Sequence, residues 1–337
     1  MAKVFLTSAA STSVPPRWDR MTALRALEQM AARDRFGTHQ VVDSAQAADI
    51  VLFVETHHDD SGSGPFFEWI FRHPAYRQFP EKVFVHSGMD NIVPLLRGIF
   101  PSIESRYYDP ARMRSGPYLM LKNELLDPSV RTEVDPTLLG SFIGCARTVQ
   151  VRHQLLKVRH DRLLIRDNGD AFIGAVKAKE KDRVDDLKKQ YVDSLLASKF
   201  IICPRGMGAS SIRLFETMEV GRVPVILSDA WVEPAGPNWN EFSIRIAERD
   251  VNRVPEIILA AEPRWEKMAV AARAAWEEYY ADPCYFHRIT EDCLALQKAS
   301  NQERRVPTRV KLQLLRPAHL RRYLRSAKKI RSAPSAA

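Results

Sequence analysis

Residues 199–233 read KFIICPRGMGASSIRLFETMEVGRVPVILSDAWVE. Lys199–Cys203 is a short apolar, β-branched run, the pattern of a strand buried on both faces of a parallel sheet. Pro204–Ser210 follows as a loop in which Gly206 and Gly208 permit tight turning and close backbone approach. Ser210 and Ser211 fall where a helix over 211–220 needs an N-cap, and Gly221 stands at its expected stop. Val223–Leu227 is a second buried strand. A strand–loop–helix–strand unit of this kind predicts α/β architecture. It also brings free backbone N–H groups and the positive end of a helix dipole to one loop. Arg205 lies in that loop and Arg213 in the first helical turn. This is phosphate-binding chemistry; the alternative is a junction whose glycines serve only the fold. Neither GxxxxGK[ST] nor GxGxxG is present.

The same alternation extends in both directions. Upstream, strands are expected at Lys3–Thr7, Ile50–Val54 and Val83–His86, with helices over 18–30 and 65–76 between them. Gly98–Asp135, with four prolines and paired tyrosines, reads as irregular. Leu138–Ile143 resumes the strand pattern, and a helix follows over 147–158. The alternation then restarts: a strand at Arg162–Ile165, a turn at Asp167–Asp170, a helix over 181–197, and the stretch quoted above. Downstream come a strand at Phe242–Ile246 and helices over 254–261, 263–280 and 285–298. This order predicts two α/β lobes facing a cleft: 1–150, then 151–303, followed by a tail over 304–337.

The 337 residues include 50 Lys/Arg against 41 Asp/Glu, a formal net charge of +9. Eleven of the basic residues, and no acidic one, lie in 304–337. The remainder is therefore close to neutral, and the basic character belongs to the tail. Within it 318–331 has amphipathic helical spacing. A membrane-surface element drawn to anionic lipid, a disordered end and an RNA-binding arm are the three readings. No recognisable nucleic-acid module accompanies the tail, so a nucleic-acid partner is not expected. No apolar run reaches the length of a membrane span. The N-terminus does not resemble a secretory signal, and Cys145, Cys203, Cys284 and Cys293 form no framework. The expected location is cytoplasmic, with peripheral docking on the inner membrane face through 304–331.

The quoted stretch resembles the signature of the exostosin family of glycosyltransferases (family 47). The matching residues are Ser198-Lys199-Phe200, Pro204-Arg205-Gly206, Ser210-Ser211, Arg213-Leu214-Phe215-Glu216, Gly221, Pro224-Val225-Ile226 and Ser228, continuing to Trp231, Glu233 and Pro234. The likeness is close over about 35 residues and extends loosely over 140–295. Met207 departs from the pattern, standing where many members carry an acidic residue. The resemblance implies two Rossmann-like lobes of the GT-B type and inverting transfer of a sugar. The donor is a nucleotide diphosphate sugar, usually a UDP-sugar, and the acceptor a glycan or lipid-linked saccharide, as in polysaccharide biosynthesis. On this reading Arg205, Gly206, Gly208, Ser210, Ser211 and Arg213 hold the diphosphate and stabilise its developing charge. Glu216 accepts from the ribose hydroxyls or pairs with Arg213 one turn away. Glu233 contacts the sugar, and Trp231 either joins it or packs.

Inverting displacement needs a base for the acceptor hydroxyl. Glu55 and Asp90, just beyond two strands of the first half, are the candidates. His86 is otherwise a core histidine. His57-His58-Asp59-Asp60 lacks a third fixed ligand, so no metal and no cofactor beyond the co-substrate is expected. The competing readings are a non-catalytic exostosin-like glycan- or nucleotide-binding protein, and a nucleic-acid-binding protein using the tail.

Overall fold

The computed structural model describes residues 1–9, 22–55, 68–90, 95–119, 123, 125–126, 134–300, 308, 312 and 315. The His57–Asp60 cluster and nearly all of the basic tail lie outside the described residues; Leu312 and Leu315 are exposed. The chain divides into two compact units. Met1–Pro101, Tyr107–Met120 and Tyr285–Ala337 form the first, and Ser102–Arg106 with Leu121–Cys284 the second.

The first unit is built on β1 (Lys3–Thr7), α1 (Thr22–Ala32), β2 (Gln40–Val41), β3 (Ile50–Glu55), α2 (Glu68–Arg72), α3 (Pro74–Gln78), β4 (Val83–Ser87), β5 (Gly98–Phe100) and β6 (Met113–Ser115). Its strands make one sheet in the order β2-β1-β3-β4-β5-β6, and every pairing is parallel. All six residues of β3 are buried, as a strand covered on both faces requires. α1 turns Ala23, Leu24, Leu27 and Met30 inward at helical spacing.

The second unit contains β7 (Leu138–Gly144), α4 (Gln150–Leu155), β8 (Leu163–Asp167), α5 (Gly169–Ala178), α6 (Lys181–Leu196), β9 (Ser198–Pro204), α7 (Ile212–Glu219), β10 (Val223–Leu227), α8 (Trp239–Phe242), β11 (Ile244–Arg245), α9 (Val254–Ala261) and α10 (Trp265–Tyr279). Its sheet runs β11-β10-β9-β7-β8, again fully parallel. Leu139, Phe142, Phe200, Ile202, Val223, Val225 and Leu227 form the centre of its core, covered by Ile258 and Met268 from the helices. Pro224 sits inside β10 without disrupting it, because β11 pairs only with Val225 and Ile226. Gly221 adopts φ +60° after α7, the left-handed stop its position predicts. The last helix, α11 (Asp282–Ser300), starts in this unit, but from Tyr285 on its residues belong to the first.

Two parallel α/β sheets are thus present, each in its own unit. Several finer expectations change. The division at 150 fails because β7 pairs with both β8 and β9, which places it in the second sheet. The stretch 98–135 is not wholly irregular: β5 and β6 are three-residue strands, too short to show periodicity. The expected turn at Asp167–Asp170 is the start of α5, with Asp167 Oδ1 accepting from the Gly169 N–H at 2.9 Å. The strand expected over 242–246 shrinks to Ile244–Arg245, preceded by α8. No helix of the described residues is long and apolar enough to cross a membrane.

Candidate functional site

In the second sheet the chain leaves β7 to one side for β8 and returns on the other for β9. The loops after β7 and β9 therefore diverge at a topological switch point, the place where open α/β sheets bind ligands. Arg152 of α4 ties the two loops together. Its Nη1 donates to the Cys145 carbonyl at 2.9 Å, its Nε to the Arg205 carbonyl at 2.9 Å and its Nη2 to the Pro204 carbonyl at 3.1 Å. A planar guanidinium holds its donors in a rigid, spread fork, so it reaches carbonyls of two separate loops with one fixed geometry.

The loop after β9 closes on itself, Gly206 N–H donating to the Ser210 carbonyl at 3.0 Å. Ser102 Oγ accepts from the Ser210 N–H, and Ser228 Oγ donates to the Ala209 carbonyl. Neither Gly206 nor Gly208 has positive φ. A Cβ on Gly206 would meet only ordinary contacts, at 3.7 Å from Arg152 Nη2 and the Ser210 carbonyl. The fold itself does not demand glycine there, and the bare backbone is open to close approach. Ser211 occupies the N-cap position with extended backbone, yet its hydroxyl makes no capping bond. Its failure to cap leaves the start of α7 available to an anion. The Ser210 hydroxyl and Arg213 Nε are buried without hydrogen-bond partners among the described residues. Met207 stands 57% exposed at the loop.

Arg205 of the loop and Arg213 of α7 are held on opposite flanks of β9. Arg205 is partly buried; its Nε lies 3.3 Å from Glu248 Oε1 and its Nη1 contacts the Gly208 carbonyl at 3.4 Å. Arg213 is buried on the β7 side. Its Nη2 donates to the Ile143 carbonyl at 2.5 Å, and its guanidinium lies between the rings of Phe142 and Tyr191. Tyr191 and Arg213 line an open pocket of about 280 Å³ with Gly144, Cys145, Gly169 and Phe172.

Glu216 accepts from the Tyr191 hydroxyl at 2.5 Å. Burial pushes its carboxyl up to about 7, opposed by the Tyr191 hydrogen bond and the Arg213 charge. Glu233 is exposed and pairs with Arg245 at 2.9 Å. Trp231 is packing: it is buried, with edge contacts to Phe215 and Trp239. Arg152, Tyr191, Glu248 and Ser102 were not singled out by sequence, since each belongs to no motif and gains its place only through the loops it meets.

In the first unit Glu55 ends β3 at the corresponding switch point, between β1 and β3. It is 1% exposed, and its carboxylate accepts from the Ala9 N–H at 2.8 Å and the Ser8 hydroxyl at 3.3 Å. Asp90 is partly buried and accepts from the Tyr118 hydroxyl at 2.5 Å. His86 is fully buried, driven down to about 3 by desolvation, and bonded to the Tyr285 hydroxyl at 3.0 Å. That is the core role. His39, His287 and Glu291 bring potential ligand atoms within 4.8 Å of one another. His39 Nδ1 accepts from the Ala2 N–H, however, which keeps the ring proton on Nε2 beside Glu291 and removes the lone pair a metal would need.

Residues 119–260, which contain the whole β7–β11 sheet and its loops, match the Exostosin GT47 domain. The match begins and ends earlier than the sequence resemblance suggested. An exostosin-1 homologue of Caenorhabditis elegans is 36% identical over 99 residues, 28% of this chain and 26% of that protein. A probable glucuronoxylan glucuronosyltransferase of Arabidopsis thaliana is 36% identical over 70 residues, 20% of this chain and 16% of that protein. The chain thus spans about a quarter or less of these relatives. Among solved structures, a glycosyltransferase from Rickettsia africae matches at TM-score 0.43 and 11% identity, covering 89% of this chain and 99% of that one.

Proposed function

We propose that the protein is an inverting glycosyltransferase using a UDP-sugar donor and a glycan or lipid-linked saccharide acceptor. The observation that carries this reading is the content of the GT47 domain. Its match spans a switch-point loop with an uncapped helix start, a partly exposed arginine and two buried polar groups lacking partners among the described residues. These are donors suited to a diphosphate.

In the reaction the acceptor hydroxyl loses its proton to a carboxylate and its oxygen bonds to the anomeric carbon. The bond from that carbon to the diphosphate breaks, and the nucleoside diphosphate leaves with the electron pair. Arg205, Arg213 and the amides of 206–211 stabilise the leaving charge. Glu216 is assigned to the ribose and Glu233 to the sugar. For the base, Asp90 is favoured over Glu55: its carboxylate keeps some exposure, whereas Glu55 is sealed by the β1 loop. Arginines and a helix start supply positive charge at the diphosphate, so no essential metal is assigned. The eleven cations of 304–337 support docking on anionic membrane, at about 1 kcal/mol per near-surface cation.

The test is a donor panel. The protein is incubated with UDP-sugars and a glycan and lipid-linked acceptor mixture, and products are read by mass spectrometry. Transfer lost in Arg205→Ala and Asp90→Asn is the expected result. Absence of both turnover and UDP binding would mean a different function.

A further inference from the structure

We infer that Glu248 is a positioning residue for the donor diphosphate, acting through Arg205; the inference rests on the function proposed above. Glu248 follows β11, outside the stretch that carries the exostosin signature, and opens the turn Glu248–Arg253. Three contacts converge on it. Its Oε1 lies 3.3 Å from Arg205 Nε and accepts from the Asp229 N–H at 3.3 Å, while its own N–H donates to Asp229 Oδ1 at 2.9 Å. Arg205 follows β9, Asp229 follows β10 and Glu248 follows β11, so one carboxylate links the carboxyl ends of three neighbouring parallel strands.

The geometry fixes how Arg205 is offered. A guanidinium has five N–H donors in a rigid fork. Glu248 lies against the Nε edge as an ion-pair partner, and the Gly208 carbonyl accepts from Nη1. Nη2 has no partner among the described residues and remains to meet an anion. A long side chain held on one edge loses less freedom when its other edge binds, which is the gain from preorganisation. Both side chains are 28% exposed, so the pair itself adds little to stability. Its worth lies in orienting the arginine. The Asp229 bonds in turn fix Glu248, which would otherwise swing freely at the strand ends.

The test is a double-mutant cycle read by UDP titration calorimetry on the full chain, with Arg205→Ala, Glu248→Ala and the double variant. Glu248→Ala alone should weaken UDP roughly tenfold, and Glu248→Gln, which keeps an acceptor but not the charge, about threefold. In the Arg205→Ala background, Glu248→Ala should change affinity less than twofold, because the residue it orients is gone. Melting temperatures of all variants establish that they fold. A tenfold effect that persists in the Arg205→Ala background overturns the inference in favour of general support of the loop, and so does an unchanged affinity in Glu248→Ala. A wild-type protein that binds no nucleotide fails at the earlier step, the proposed function, and is distinguished by that control.

Discussion

Tyr191→Phe removes one oxygen and isolates one interaction, the hydroxyl donated to Glu216 at 2.5 Å. Burial raises the Glu216 carboxyl from 4.5 to about 7. A carboxyl raised in the fold contributes stability that is present below its unfolded value and is lost as pH rises through the folded one. At pH 8 the wild type therefore carries a destabilised carboxylate, by at most about 3 kcal/mol from the shift and less given its partial exposure. The Tyr191 hydroxyl mitigates that loss. Hydrogen bonds to charged groups contribute about 1.5–3 kcal/mol, and this one should lie toward the lower end. Tyr191→Phe should then cost about 1.5 kcal/mol at pH 8, or about 3 °C in melting temperature. Burial raises the tyrosine itself well above its ordinary value, so it stays neutral throughout. At pH 5 Glu216 is protonated, the bond is neutral on both sides, and the difference should fall to about half. Differential scanning fluorimetry from pH 5 to 8 measures both terms. A variant as stable as wild type at pH 8, or a difference that grows toward acid, would refute the reasoning.

Gly206→Ala should leave the melting temperature within about 1 °C, since a Cβ there meets only contacts at 3.7 Å. The same variant should weaken UDP at least fivefold by calorimetry, about 1 kcal/mol, if a ligand needs that surface. Gly98→Ala is the contrast: its Cβ would fall 1.9 Å from the Val85 carbonyl oxygen, so the β4–β5 pairing must break. A loss of about 3 kcal/mol or insoluble protein is expected, read by circular dichroism melts. Arg222→Met strips the buried Leu196 carbonyl of its Arg222 donors and removes the bond to the more exposed Val134 carbonyl, at a cost of about 2 kcal/mol in chemical denaturation. Transfer should persist in excess EDTA, because the positive charge is supplied by arginine and helix; complete loss, restored by a divalent cation, would show a metal requirement.

The architecture was legible where apolar periodicity was strong. β1, β3, β4, β9 and β10 announce themselves as buried β-branched runs, and Gly221 marks the stop of α7. The missed elements had competing signals. Asp-Asn-Gly-Asp is turn chemistry and concealed the start of α5 at Gly169, while β5 and β6 are too short to carry a period. The boundary at 150 misplaced β7 because sheet membership is set by long-range pairing, which local pattern does not encode. Spacing alone located the loop carrying Arg205, Gly206 and Gly208 between β9 and α7, but left a phosphate site and a purely structural junction both open. Glu55 was readable as a strand end but not as a sealed carboxylate, since its partners Ser8 and Ala9 lie more than forty residues away. Glu248 offered no signal: it sits in an ordinary polar segment and matters only because β11 ends where it does.

The central claim is that the loop after β9 binds a diphosphate. Parallel calorimetric titrations of UDP and uridine into the wild type and Arg205→Ala test it most directly. The account predicts that the wild type binds UDP at least tenfold more tightly than uridine, and that Arg205→Ala removes most of that difference. Equal affinity for UDP and uridine, or a preference for UDP that survives Arg205→Ala intact, would contradict it.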